Sequence, residues 1–211
     1  MGKLFIDLNT FKVIKKTDLL KEEPYLWLFG IAVELGAGSS SDPTRFIVKR
    51  PATPGNLGGP FKKGESRTIA DSVGRIDKDV TPIFGRLALG FIAMTWDHDN
   101  TPASAVQAAY GDAAKVLNDF IQGRVSALNT APLTDAELAA IKRDIEAHIR
   151  DRFKATVTLR NPSSLNQDDF VGMDFRFITP NPAVAQSENL DMHFAARSVE
   201  YQITGVFRYT P

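Results

Sequence analysis

The spacing of apolar positions along this chain changes character twice. In the N-terminal part they come as short runs rich in Phe, Ile, Val and Leu, over Leu4–Ile14, Tyr25–Leu35, Arg45–Lys49 and Leu87–Trp96. Turn residues separate the runs, which marks them as β-strands. Pro51–Gly64 interrupts them with Pro-Gly, Gly-Gly and Gly-Gly-Pro steps. Such punctuation predicts a long, irregular and mobile surface loop.

From Thr101 the period lengthens. Val106, Ala109, Ala113, Val116, Leu117, Phe120 and Ile121 recur at three- and four-residue spacing, the stripe of an amphipathic helix. Pro102 suits the first turn, where a missing N–H costs nothing. A second helix opens at Thr134, with Glu137 placed to complete a capping box. Leu138, Ile141, Ile145 and Ile149 form its stripe, while Lys142, Arg143, Asp144 and Glu146 face water. The two helices read as an antiparallel hairpin with both stripes against a sheet.

The tail returns to strands at Ala155–Leu159, Gly172–Ile178 and Val199–Tyr209, with a short one near His193. Tyr201, Ile203, Gly205, Phe207 and Tyr209 share one parity, so that last strand buries one face. Strands, then helices, then strands exclude the regular alternation of a dinucleotide-binding fold. The expectation is a single α+β domain over 1–211. It is mainly an antiparallel β-sandwich of about seven or eight strands with an inserted two-helix hairpin. Residues 1–97 and 155–211 are β-rich, and 101–152 carry the hairpin.

Composition narrows the function classes. The chain has 211 residues, with 25 basic and 25 acidic side chains, so no global field favours nucleic acid. Zero cysteines exclude disulfides, thiolate metal sites and a cysteine nucleophile. No apolar run approaches the roughly 18–20 residues of a membrane-spanning helix. The opening Met1–Ile6 is broken at once by Asp7 and Asn9, unlike a secretory signal. A soluble protein is expected, cytoplasmic ahead of secretion without a signal peptide, with its oligomeric state open.

The chemistry concentrates in two acidic turns. Trp96-Asp97-His98-Asp99-Asn100-Thr101 follows a strand and precedes a helix, and Asp168-Asp169-Phe170-Val171-Gly172 leads into another strand. Asp97, Asp99, Asn100, Asp168 and Asp169 offer several hard oxygen ligands, the donor set that calcium takes. Read singly, each turn also suits plain capping and solvation, since Asp and Asn side chains bond nearby backbone N–H groups. Trp96 and His98 border the first turn and are candidate ligand contacts.

These turns resemble two halves of the third calcium loop in the calcium-dependent lipid-binding β-sandwich domains of protein kinase C and the synaptotagmins. That loop has Asp-x-Asp after one strand and Asp-Asp-hydrophobic-Val-Gly before the next. Glu22-Glu23-Pro24-Tyr25 is similar to the Asp-Pro-Tyr that opens a strand in that family, with Glu23 in place of Asp. Here both helices separate the two halves, and no basic lipid-binding strand is evident. The resemblance implies a sandwich fold and binding of calcium and an anionic lipid membrane, without turnover; another ligand or a protein partner is the alternative. Glu-Glu-Pro-Tyr-Leu-Trp and Asp-Asn-Thr-Pro are also similar to segments of uncharacterised microbial proteins.

Other chemistry is sparser. His98, His148 and His193 show no metal-ligand spacing, although His98 with Asp97 and Asp99 could join a distant histidine around zinc. No Gly-x-Ser-x-Gly elbow exists, and the glycines before Lys62 and Lys63 lack a phosphate-loop ending. Trp27 reads as core. The leading reading is a non-enzymatic binding module. Two alternatives stand beside it: a metal-dependent hydrolase using the acidic turns with His98, and a structural or toxin-like interaction protein.

Overall fold

The computed structural model describes residues 2–16, 23–35, 44–49, 53–80, 86–98, 101–126, 168–181, 183–196 and 199–211, with a few single positions between 136 and 147. The fold is the expected β-sandwich with helix. One sheet contains β1 (Gly2–Lys15), β4 (Ser66–Thr68), β5 (Arg75–Val80), β8 (Gln186–Ala196) and β9 (Val199–Thr210). The other runs in the order β3 (Thr44–Lys49), β2 (Pro24–Leu35), β6 (Arg86–Asp97), β7 (Asp169–Ile178). Every described ladder is antiparallel. A short helix α1 (Asp71–Gly74) links β4 to β5, and a long helix α2 (Ala103–Ser126) follows β6. Among the described residues no helix is long and apolar enough to cross a membrane.

The layers follow from side-chain parity. In β2, Leu26, Leu28 and Ala32 face the first sheet, joining Leu4, Ile6, Phe91, Phe194 and Ile203 in the sandwich core. The other parity, Tyr25, Trp27, Phe29 and Ile31, packs with Ile92, Met94 and Trp96 against α2. The helix contributes Val106, Ala109, Ala113 and Leu117, the stripe expected from its spacing. A strand buried on both faces reads as a continuous apolar run, and Tyr25–Ile31 is one. The second helical stripe, Leu138 to Ile149, and the strand expected at Ala155–Leu159 lie outside the described residues.

In β1 the buried parity switches midway, from Leu4, Ile6 and Leu8 to Phe11 and Val13. The ladder with β9 shifts by one residue between Leu8 and Thr10, so Asn9 is the extra residue of a β-bulge. Its carbonyl accepts the N–H of Ile69 at 2.9 Å. Glycines flank the strand there, because a Cβ at Gly74 would run into the Leu8 carbonyl and one at Gly205 into that of Asp7. The bulge lets one edge of β1 serve β5 before it and β4 after it.

The glycine-rich segment is irregular, as expected, but anchored. Leu57 and Phe61 are buried in the sandwich core. Asn56 donates to the carbonyl of Leu26 and accepts its N–H, both at 2.8 Å. Ladder pairing between β2 and β3 stops at Phe29, so this carboxamide stands in for a strand partner. The expected surface loop is thus partly core, because Leu57 and Phe61 supply apolar area the spacing of breakers conceals.

Candidate functional site

The ladder between β6 and β7 sets Asp97 opposite Asp169. The two acidic turns therefore meet at one corner of the second sheet, although a long stretch of chain separates them. A second bulge shapes this corner: Thr95 pairs with Gly172 and Trp96 with Phe170, which leaves Val171 over. Val171 turns into the sandwich core, and Phe170 lies with Trp96 on the helix side.

Asp168, just before β7, has a fully buried side chain, 0% exposed. The Tyr25 hydroxyl donates to its Oδ2 at 2.8 Å, and the Thr101 N–H to its Oδ1 at 3.2 Å. His98 Nδ1 lies 3.0 and 3.1 Å from the two oxygens. The Asp168 N–H returns a bond to Thr101 Oγ1 at 3.0 Å. Burying a carboxylate is costly unless its lone pairs are served, and here they are. Thr101 lies two residues before α2, where the Pro102 carbonyl accepts the N–H groups of Ala105 and Val106. Asp168 thereby ties the start of the helix to the start of β7 and, through Tyr25, to β2.

The network sets the proton positions. Burial above all, and then the charge of Asp168, push the Tyr25 hydroxyl well above the usual phenol range, so it stays a donor. A carboxylate only accepts, which assigns the proton of His98 to Nδ1. Its Nε2 has no hydrogen-bond partner among the described residues, and the side chain is 20% exposed. The ring is also held edge-on to Tyr25, 6.2 Å between centroids. His98 is therefore an oriented imidazole with one nitrogen left for a ligand.

Trp96, expected as a ligand contact, packs among aromatic rings. It is 2% exposed, stacks on Tyr25 at an interplanar angle of 10°, and lies 4.6 Å from Trp27 and 5.0 Å from Phe170 between centroids. Its parity on β6 places it on the side of the helix layer. Trp27 is core, as expected.

Asp97 is half-buried and Asp169 is exposed. Like charges directly opposite in a ladder destabilise a sheet. Thr95 shares the parity of Asp97 on β6, is fully buried, and its Oγ1 has no hydrogen-bond partner among the described residues. Asp99, Asn100 and His148 lie outside the described residues. Among the described residues no three His, Asp or Glu side chains group closely enough to hold a metal. His193 is exposed on β8, 3.4 Å from Asp191 and 3.5 Å from Glu200.

Tyr25 and Thr101 are the site residues that sequence reasoning missed. Tyr25 was visible only as a strand opening and Thr101 only as a helix cap. Their bond partner Asp168 is 143 and 67 residues away, and no spacing pattern carries such pairings. No protein-family model, curated protein or solved structure matches this chain.

Proposed function

We propose that this protein is a non-enzymatic binding module whose working end is the corner formed by β6, β7 and the start of α2. Asp97 and Asp169 hold a calcium ion there and the ion recruits an anionic surface; the sequence supplies Asp99 and Asn100 as further oxygen donors. The carrying observation is the cross-strand pair Asp97–Asp169, two carboxylates set opposite each other at a strand end. A divalent cation relieves that repulsion and takes oxygen ligands of this kind. Asp168 serves in this reading as the frame beneath the site, since Tyr25, His98 and Thr101 occupy its oxygens. Thermal unfolding in millimolar calcium and in chelator tests the proposal. A free calcium concentration a hundredfold above the dissociation constant stabilises the fold by about 2.7 kcal/mol. Asp169→Asn is expected to lose most of that gain with its chelator curve unchanged. Superimposable wild-type curves with and without calcium would sink the proposal.

A second reading is favoured by one observation, the His98 ring fixed by a buried carboxylate with Nε2 left over. A carboxylate behind a histidine orients it as a metal ligand or a general base. In that case the protein is a metal-dependent hydrolase. Turnover on a panel of esters and phosphoesters that disappears in His98→Gln, with the melting temperature retained, would favour it over the binding module.

A further inference from the structure

Several cations among the described residues are paired with acids. Lys3 meets Asp77 at 3.1 Å, Arg75 meets Asp71 at 3.3 Å, and Lys115 meets Asp119 at 2.6 Å. Arg67 meets Glu65 at 2.6 Å, and Arg176 bridges Asp174 and Glu188 at 2.7 and 2.9 Å. Four lysines at one end of the first sheet differ from these. Lys12 is half-buried, Lys15, Lys62 and Lys63 are exposed, and none makes an ion pair among the described residues. They are neighbours. The Gly64 N–H donates to the Val13 carbonyl at 2.8 Å and the Val13 N–H to the Glu65 carbonyl at 3.0 Å, which brings the Lys62–Lys63 turn alongside Lys12 and Lys15.

The turn is held from beneath. Phe61 is 2% exposed and meets Phe11 edge-on at 5.1 Å, and the Arg67 guanidinium lies 4.1 Å over its ring. Glu65 accepts the Lys62 N–H at 2.8 Å, and Gly64 takes the left-handed conformation, φ +81°, that closes the turn. The nearby acids have other partners: Glu65 is bound to Arg67, and Glu200, across from Lys15, lies 3.5 Å from His193. Concentrating like charges on a rigid base is unfavourable in isolation, and a polyanion removes the cost.

We propose that Lys12, Lys15, Lys62 and Lys63 form a preorganised contact surface for the anionic headgroups of a membrane, a footprint that needs no metal. It rests on the reading of this protein as a binding module for an anionic surface. The segment that carries Lys62 and Lys63 is also tied to the second sheet, since Asn56 is bonded to Leu26 of β2. Membrane is favoured over nucleic acid by the chemistry. Lysines are point charges without the planar fork that reads bases, and no exposed aromatic among the described residues offers a stacking platform.

The test is co-sedimentation of the full chain, in chelator, with phosphatidylcholine vesicles that contain or lack phosphatidylserine. Wild type is expected to bind only the phosphatidylserine vesicles and to lose affinity as salt rises. Each lysine near an anionic surface is worth about fivefold in affinity, so Lys62→Gln with Lys63→Gln should weaken binding roughly 25-fold. Both side chains are exposed, and an unchanged melting temperature checks the fold. Asp97→Asn with Asp169→Asn is expected to leave the binding in chelator intact, so loss of the calcium site and loss of this surface are separable. Equal binding to both vesicle types, unchanged binding by the lysine variants, or lysine-dependent binding to a DNA duplex with none to vesicles would each overturn the proposal.

Discussion

The two sheets of this sandwich differ in how many faces they bury. Among the described residues the first sheet covers one. In β9, Tyr201, Ile203, Phe207 and Tyr209 are buried, while the residues between them reach solvent to some degree. The second sheet covers two, with the first sheet on one side and α2 on the other. The difference teaches where specificity has to come from. A one-faced strand is specified by alternation alone, since the wrong register would expose its apolar set. A two-faced strand has no such signal, so β2 relies on side-chain shape and on fixed polar ties at its ends. The Asp168 network is such a tie, holding the helix layer to the sheet.

The comparison breaks first on β2 itself. Trp27→Ala on the helix side and Leu28→Ala on the sandwich side should both destabilise, by about 3–5 and 2–5 kcal/mol in denaturant titrations. A small loss at Trp27 alone would mean that α2 is a loosely held cover and the second sheet is effectively one-faced.

The polar tie comes next. Tyr25→Phe deprives Asp168 of one donor, and a buried group left short of a bond costs about 1–3 kcal/mol. The pH dependence sharpens this. The folded-state phenol of Tyr25 is raised, so its contribution is present below the ordinary tyrosine value of about 10 and is lost as pH rises beyond it. Wild type should therefore lose more stability than Tyr25→Phe between neutral and strongly alkaline pH. Parallel stability curves for the two proteins would show that the hydroxyl titrates as freely as in the unfolded chain.

The smallest effect is expected on the outer face of the first sheet, which no described element covers. Arg208 is exposed on β9 and lies 5.3 Å over the Phe5 ring, a contact worth about 0.5–1 kcal/mol. Arg208→Ala should cost no more than that in thermal unfolding. A loss as large as that of Leu28→Ala would reveal a covering layer on this face.

These contrasts explain what was legible in the amino-acid sequence. β9 was readable because its parity is unbroken, and α2 because its stripe is regular. β2 was recognisable as a strand, but a continuous apolar run does not say what lies on its second face. β4 is only three residues long, and β5 reads Arg-Ile-Asp-Lys-Asp-Val, with charge masking its two buried positions. β8 was seen only as a short strand near His193, because Leu190, Met192 and Phe194 alternate in just part of its eleven residues. At the site, both acidic turns were visible as chemistry. Their meeting was not, because it depends on β6 pairing with β7. Nor could spacing show that Asp168 would face inward to Tyr25 and Asp169 pair with Asp97.

The bulge at Asn9 carries a consequence for how this gene can vary. The two halves of β1 present their apolar residues in opposite phase, and a single surplus residue reconciles them. Losing that codon, or gaining one beside it, would turn half of a central strand inside out. Within this stretch of β1 a change of residue is thus tolerated more readily than a change of length, like a word that accepts new letters but not a different number of them.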